Sequence, residues 1–174
     1  MILPAGYSVR PAREAELPAL QLIEEKAGEV WGAALGRSTV PYGVMPLAAL
    51  DLCRAGGTLW VAADGADGPV GFLAAGDLDG ALFIHELNVA PEHQKRGLGT
   101  ALLLAAIDHA RWAFHPAVAL VTDRLIPFNA PFYARHGFVA LRPGDLSSGL
   151  RAKLASEAER GLDMERRVAM AKRL

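Results

Sequence analysis

The segment from Ala81 to Ala113 constrains the fold of this chain more than any other. Ala81 to Val89 reads as a strand. Leu82, Phe83 and Ile84 put apolar side chains on both of its faces, so its first half is expected to be covered on both sides. Leu98 to Ala113 reads as a helix that is apolar nearly all round, through Leu102, Leu103, Leu104, Ala105, Ala106 and Ile107. Such a helix must pack onto a sheet. Between them Ala90 to Gly97 makes the turn, and Gly99 follows at the helix start. Glycine allows backbone angles that other residues resist and lets a ligand come close to the chain. The first amides of a helix have no intrahelical partner, and the helix dipole favours an anion there. Lys95 and Arg96 add positive charge. The segment reads either as a cradle for a pyrophosphate or as a tight strand-to-helix turn and nothing more.

The rest of the chain supplies partners for that helix and strand. Tyr7 to Arg10 reads as a strand and Glu14 to Trp31 as a helix, with Leu17, Leu20, Ile23 and Ala27 on one side. Glu24, Glu25 and Glu29 are read first as its solvated face, with attraction of a cationic substrate as the alternative. A looser stretch from Gly32 to Pro46 leads into a helix at Leu47 to Arg54, closed by Gly56-Gly57. Thr58 to Ala63 and Val70 to Gly76 read as an antiparallel hairpin across the turn at Asp64 to Pro69. Ala117 to Thr122 is a further strand. Asn129 to Arg135 is a short helix with Asn129 at its N-cap and Pro131 in the first turn. Gly137 to Leu141 is a strand, Asp145 to Arg160 a helix, and Arg167 to Lys172 a last strand. This order implies an α+β fold with helices layered on a sheet. No repeat, low-complexity stretch or linker interrupts it, so one domain over residues 1–174 is expected.

Composition removes several classes of function. Of 174 residues, 52% are hydrophobic and 21% charged, with a formal net charge of −1. A nucleic-acid binder would carry a basic bias, so no nucleic-acid partner is expected. Cys53 is the one cysteine, which rules out an intrachain disulfide and a cysteine metal cluster and fits a reducing compartment. Met1 to Glu14 lacks the apolar run of a secretory signal, and Ala101 to Ile107 is too short to cross a bilayer. The expectation is a cytoplasmic protein without a membrane partner. His109 and His115 do not form an i, i+4 pair, His93 is expected to face solvent, His85 reads as structural and His136 as a surface or packing residue, so no metal site is expected.

Two nucleotide-binding patterns fit poorly. A Walker A loop ends in Gly-Lys-Ser/Thr, and Gly97-Leu98-Gly99-Thr100 has no lysine there. A dinucleotide fingerprint needs a further small residue in register, and Ala101 falls one position early. Gln94-Lys95-Arg96-Gly97-Leu98-Gly99 instead resembles the Gln/Arg-x-x-Gly-x-Gly/Ala motif of the GNAT superfamily of N-acetyltransferases. Asn129-Ala130-Pro131-Phe132-Tyr133-Ala134-Arg135-His136-Gly137-Phe138 resembles the Asn-x-x-(Ala/Phe)-Tyr-x-x-x-Gly-Phe region of the same family. The resemblance is specific from Phe83 to Leu141 and topological elsewhere.

The resemblance implies a three-layer GNAT-like fold. Its central sheet is mixed and mostly antiparallel, splayed at strands 4 and 5, with helices on both faces. It implies acetyl-CoA as co-substrate and an amine acceptor, a primary amine of a small molecule or peptide. Main-chain groups of Leu87 and Val89, flanking Asn88, would pair with the pantetheine arm, and one of these N–H groups would polarise the thioester carbonyl. The amides of Gln94, Lys95, Arg96, Gly97, Leu98, Gly99 and Thr100 would hold the pyrophosphate. Asn129 would hydrogen-bond the pantetheine, and Tyr133 would protonate the leaving thiolate. Glu86 is the candidate base, since on an extended strand it shares a face with Asn88 near the loop. A homodimer is expected on the resemblance. The alternative reading is a non-catalytic acyl-CoA-binding sensor or partner module.

Overall fold

The structure is a computed structural model that describes residues 3–36 and 43–174. Its elements run β1 (Ser8–Pro11), α1 (Leu17–Ala34), α2 (Leu47–Ala55), β2 (Leu59–Ala63), β3 (Pro69–Leu78), β4 (Ala81–Val89), α3 (Leu98–Trp112), β5 (Ala117–Asp123), α4 (Ala130–Arg135), β6 (Val139–Ala140), α5 (Ser148–Glu159) and β7 (Arg167–Arg173). The strands form a seven-stranded mixed sheet in the order β1-β2-β3-β4-β5-β7-β6. The pairs β1–β2, β2–β3, β5–β7 and β6–β7 are antiparallel and β4–β5 is parallel, which makes the sheet mixed and mostly antiparallel. Of the looser stretch Gly32 to Pro46, residues 37–42 lie outside the described residues.

The chain folds into two compact units, Met1–Gly76 with Ile84–His109, and Asp77–Phe83 with Ala110–Leu174. In the first, Leu17, Leu20 and Ile23 of α1 and Leu50 and Cys53 of α2 pack with Leu59 and Val61 of β2 and Phe72 and Ala74 of β3. Alternation sends Trp60, Ala62, Leu73 and Ala75 to the other face, where they are also buried. There the Trp60 ring meets His109 of α3 edge-on at 5.2 Å. Helices therefore cover both faces of β2 and β3, which explains why every residue of β2 is buried. The hairpin turn is held by Asp64, whose Oδ1 accepts the Ala66 and Gly68 N–H groups at 3.0 Å each.

In the second unit, Leu82↔Val118 and Phe83↔Ala119 form the parallel pairing of β4 with β5. β7 runs the whole length of β5, from Ala117↔Arg173 to Asp123↔Arg167. Leu150 of α5 packs with Phe83, Ala119 and Ala169.

Several boundaries differ from the sequence reading, and three of them have a plain local cause. α1 starts at Leu17 because Glu14–Glu16 is a 3-10 turn, whose Glu16 carboxylate accepts from Arg10 Nη1 and Nη2 (3.0 and 2.6 Å) and from the Arg13 N–H (2.7 Å). α5 starts at Ser148, not Asp145. Pro143–Asp145 forms a separate turn, and the Ser147 hydroxyl caps the helix by accepting the Leu150 N–H at 3.3 Å. β6 shrinks to Val139–Ala140, paired on one side only with β7.

Candidate functional site

In the first unit, the second half of β4, the turn after it and the start of α3 carry most of the residues singled out above. The Ala90 N–H donates to the Val70 carbonyl of β3 at 2.9 Å. Backbone groups alternate along a strand, so the N–H groups of Val89 and Leu87 point away from β3. Gly71 lets β3 approach this stretch. A Cβ there would lie 2.9 Å from the Asn88 carbonyl oxygen and 3.1 Å from a Val89 methyl. Glu86 and Asn88 do share a face, with Asn88 Nδ2 donating to Glu86 Oε2 at 3.2 Å. His85 has its Nε2 3.0 Å from where a Cβ on Gly76 would sit.

The turn is built from few bonds. Pro91–His93 forms a 3-10 turn, and Gln94 Nε2 donates back to the Val89 carbonyl at 3.0 Å. Lys95 and Gly97 both take left-handed backbone angles, φ 59° and φ 83°. Gly97 is the residue before the helix, and its carbonyl accepts the first intrahelical bond, from Ala101 N–H at 3.0 Å. A helix usually has Ser, Thr, Asp or Asn at this place, whose side chain takes one of the first amides. Gly97 has no side chain to do so, and a Cβ there would meet nothing within 4 Å. Gly97 therefore gives the amides of Leu98, Gly99 and Thr100 no capping side chain at the helix start, next to exposed Lys95 and Arg96. The Arg96 guanidinium also anchors the loop, donating to the Glu92 carbonyl at 3.2 Å and lying 6.0 Å from the Tyr7 ring centre.

Two residues in this unit differ from expectation. His93 is half-buried, not solvent-facing, because Tyr7 Oη bonds its Nδ1 at 2.9 Å. Tyr7 braces the turn in this way from 86 positions away, and no local pattern signals it. Glu24 is half-buried, not part of a solvated face. Both of its carboxylate oxygens accept the Met45 N–H at 3.0 Å, while Gln21 Nε2 donates to the Met45 carbonyl at 2.8 Å. Burial pushes the Glu24 carboxyl above its ordinary value, against the lowering effect of the Met45 N–H. The signal was present, since Glu24 stands four residues after Leu20, on the buried side of α1.

In the second unit, α4 carries Asn129 and Tyr133. Asn129 stands at the N-cap position, but its side chain makes no capping bond. Its carbonyl does the work, accepting the Phe132 N–H at 2.8 Å and the Tyr133 N–H at 3.1 Å. Tyr133 is buried, and its ring meets Phe132 and Phe138 edge-on at 5.1 and 5.6 Å. Gly137 takes φ 85°, and Lys172 Nζ closes the end of α4 by donating to the His136 carbonyl at 2.9 Å. Ahead of α4 lies Asp123, 1% exposed, a residue that the strand pattern of β5 concealed. Burial alone would push its carboxyl up. The Arg166 guanidinium and the Leu125 and Ile126 N–H groups outweigh this and hold it below its ordinary value.

Among the described residues no group of three or more His, Cys, Asp or Glu could hold a metal ion. None of the described helices is long and apolar enough to cross a membrane. Cys53 is buried, and that burial pushes its thiol up.

A family model described as an acetyltransferase (GNAT) domain matches residues 55–140, which span β2 to β6 and include both glycine-turn and α4 segments. Over these residues, just under half of the chain, it carries a GNAT acetyltransferase domain. As a GNAT protein it is an acetyl-CoA-dependent acyltransferase. Solved structures show the same fold. Rv2747 from Mycobacterium tuberculosis, in complex with CoA, is 20% identical with a TM-score of 0.71, over 96% of this chain and 99% of that one. The PaiA N-acetyltransferase from Thermoplasma acidophilum, in complex with coenzyme A, is 14% identical with a TM-score of 0.66, over 97% and 99%. N-acetylglutamate synthase from Neisseria gonorrhoeae, complexed with coenzyme A and N-acetyl-glutamate, is 20% identical with a TM-score of 0.65. This GNAT chain aligns over 98% of its own length there but spans only 36% of the synthase.

Proposed function

We propose that the protein is an N-acetyltransferase that moves the acetyl group of acetyl-CoA to a primary amine of a small molecule or peptide, by direct attack of the amine on the thioester. The start of α3 carries this reading. Gly97 leaves the first amides of an apolar helix without a capping side chain, beside Lys95 and Arg96, and a diphosphate ester is the anion such a place suits. In this reading the amides from Gln94 to Thr100 hold the pyrophosphate. The backbone of Leu87, Asn88 and Val89 holds the pantetheine arm. Because the Val89 carbonyl already accepts from Gln94, Val89 contributes chiefly its N–H, which suits a donor to the thioester oxygen.

Acetyl-CoA supplies an acetyl group activated as a thioester. The chain's residues then manage protons. Glu86, set beside Asn88 on β4, takes a proton from the amine as its nitrogen bonds the acetyl carbon. Asn129 hydrogen-bonds the pantetheine, and Tyr133 gives its hydroxyl proton to the thiolate as the carbon–sulfur bond breaks. We place the reaction in the cytoplasm, a reading supported by the lone buried Cys53, and read the protein as a homodimer on its resemblance to the superfamily. Light scattering on a sizing column tests the second point.

The experiment is release of CoA thiol from acetyl-CoA against polyamines, amino acids, aminoglycosides and short peptides. Turnover that depends on one class of amine supports the reading and names the acceptor. Acetyl-CoA binding without turnover on any amine would favour a sensor module instead.

A further inference from the structure

We propose that Asp123, held by Arg166, is a positioning residue for α4, fixing the turn that sets Asn129 and Tyr133. This rests on the roles read for those two residues above. The link is a continuous chain of hydrogen bonds within one compact unit. Asp123 closes β5. Its Oδ1 accepts the Leu125 N–H at 2.8 Å and the Ile126 N–H at 3.1 Å. Arg166 grips the same carboxylate through Nε to Oδ2 at 2.8 Å and Nη2 to Oδ1 at 3.2 Å. The Ile126 carbonyl accepts the Asn129 N–H at 2.9 Å, and the Asn129 carbonyl accepts the Phe132 and Tyr133 N–H groups. Arg124 N–H donates to the Arg166 carbonyl at 2.8 Å, which ties the far side of the turn to the same arginine. Pro127 has no N–H to place. One buried carboxylate thus satisfies the donors at the head of the turn, and each later bond hangs from the one before.

A buried ion pair is by itself weak evidence for stability, since apolar substitutes often do as well. What an apolar pair could not supply is the acceptor for two successive amides. Without it the Leu125 and Ile126 N–H groups must find other partners, and the turn must move. Displacing a positioned group by about 1 Å costs on the order of 100-fold in rate.

The test is Asp123→Asn, whose amide nitrogen cannot accept from Arg166 Nε as Oδ2 does, with Arg166→Gln, which removes the grip from the other side, as the second variant. Hydrogen–deuterium exchange is read alongside kcat and acetyl-CoA affinity. The expected result is faster exchange confined to residues 124–136. With it, kcat falls roughly tenfold or more through the displaced Tyr133, and acetyl-CoA affinity weakens through the displaced Asn129. In a Tyr133→Phe background, Asp123→Asn should lower kcat little further, because both changes then act through the same hydroxyl. Losses that multiply in full would overturn the proposal, as would unchanged exchange at 124–136 or loosening spread through β5 and β7. If Asp123→Asn does not fold, Arg166→Gln is judged by the same three readouts. If the wild type acetylates no amine, the proposed function fails, and the exchange pattern alone decides whether Asp123 positions α4.

Discussion

Replacing Gly97 with alanine separates the fold of the glycine turn from its chemistry. Gly97 sits at φ 83°, where an L-residue is strained by about 1–2 kcal/mol. A Cβ there meets nothing within 4 Å, so no steric clash adds to that figure. For a chain of 174 residues, each kcal/mol shifts Tm by about 2–4 °C, so Gly97→Ala should lower Tm by about 2–8 °C. The same Cβ enters the open space beside the amides of Leu98, Gly99 and Thr100. If it displaces one hydrogen bond to a phosphate, worth about 1.5–3 kcal/mol, acetyl-CoA affinity falls about 10- to 150-fold. Asparagine tolerates left-handed angles better than alanine. Gly97→Asn should therefore lose less Tm than Gly97→Ala yet bind acetyl-CoA no better. Melting scans without ligand give the first quantity and calorimetric titration with acetyl-CoA the second. Wild-type affinity in both variants would refute the phosphate cradle, whatever the Tm values.

Three other outcomes follow from the geometry. Tyr133→Phe should lower kcat by roughly 10²- to 10⁴-fold with acetyl-CoA affinity nearly unchanged, as steady-state rates and titration will show. Gly71→Ala should cost about 1–3 kcal/mol in a denaturant titration and lower turnover, because its Cβ would sit 2.9 Å from the Asn88 carbonyl oxygen and must push the end of β4 aside. Glu24, its carboxyl raised by burial, holds its proton more tightly folded than unfolded, so it withdraws stability as pH rises above the ordinary value of 4.5. Glu24→Gln keeps an acceptor for the Met45 N–H and removes that charge, so a pH series of Tm should lose part of its downward slope, with a neutral-pH Tm no lower than wild type.

The strand, turn and helix from Ala81 to Trp112 were legible because local rules decide them. Apolar runs set the burial of β4 and α3, and Gly97 marked one left-handed position of the turn, though Lys95 takes another. The hairpin of β2 and β3 was legible for the same reason, since its turn is stabilised by Asp64 within five residues. What escaped was decided by contacts distant in sequence. The Tyr7 hydroxyl on His93, the Gly71 approach to Asn88 and the Arg166 grip on Asp123 join residues that no window of sequence brings together. Asn129 shows the limit of a motif. Residue type and position were those of an N-cap, but its carbonyl and not its side chain holds the first turn of α4.

The most direct test of the account is transfer itself. Acetyl-CoA carrying an isotopic label in the acetyl group is incubated with the protein and a panel of amines, and the products are read by mass spectrometry. The account predicts a labelled N-acetyl amide, formed in step with CoA release and abolished together with it in Tyr133→Phe. Labelled acetate alone, or no consumption of acetyl-CoA with any amine, would contradict it.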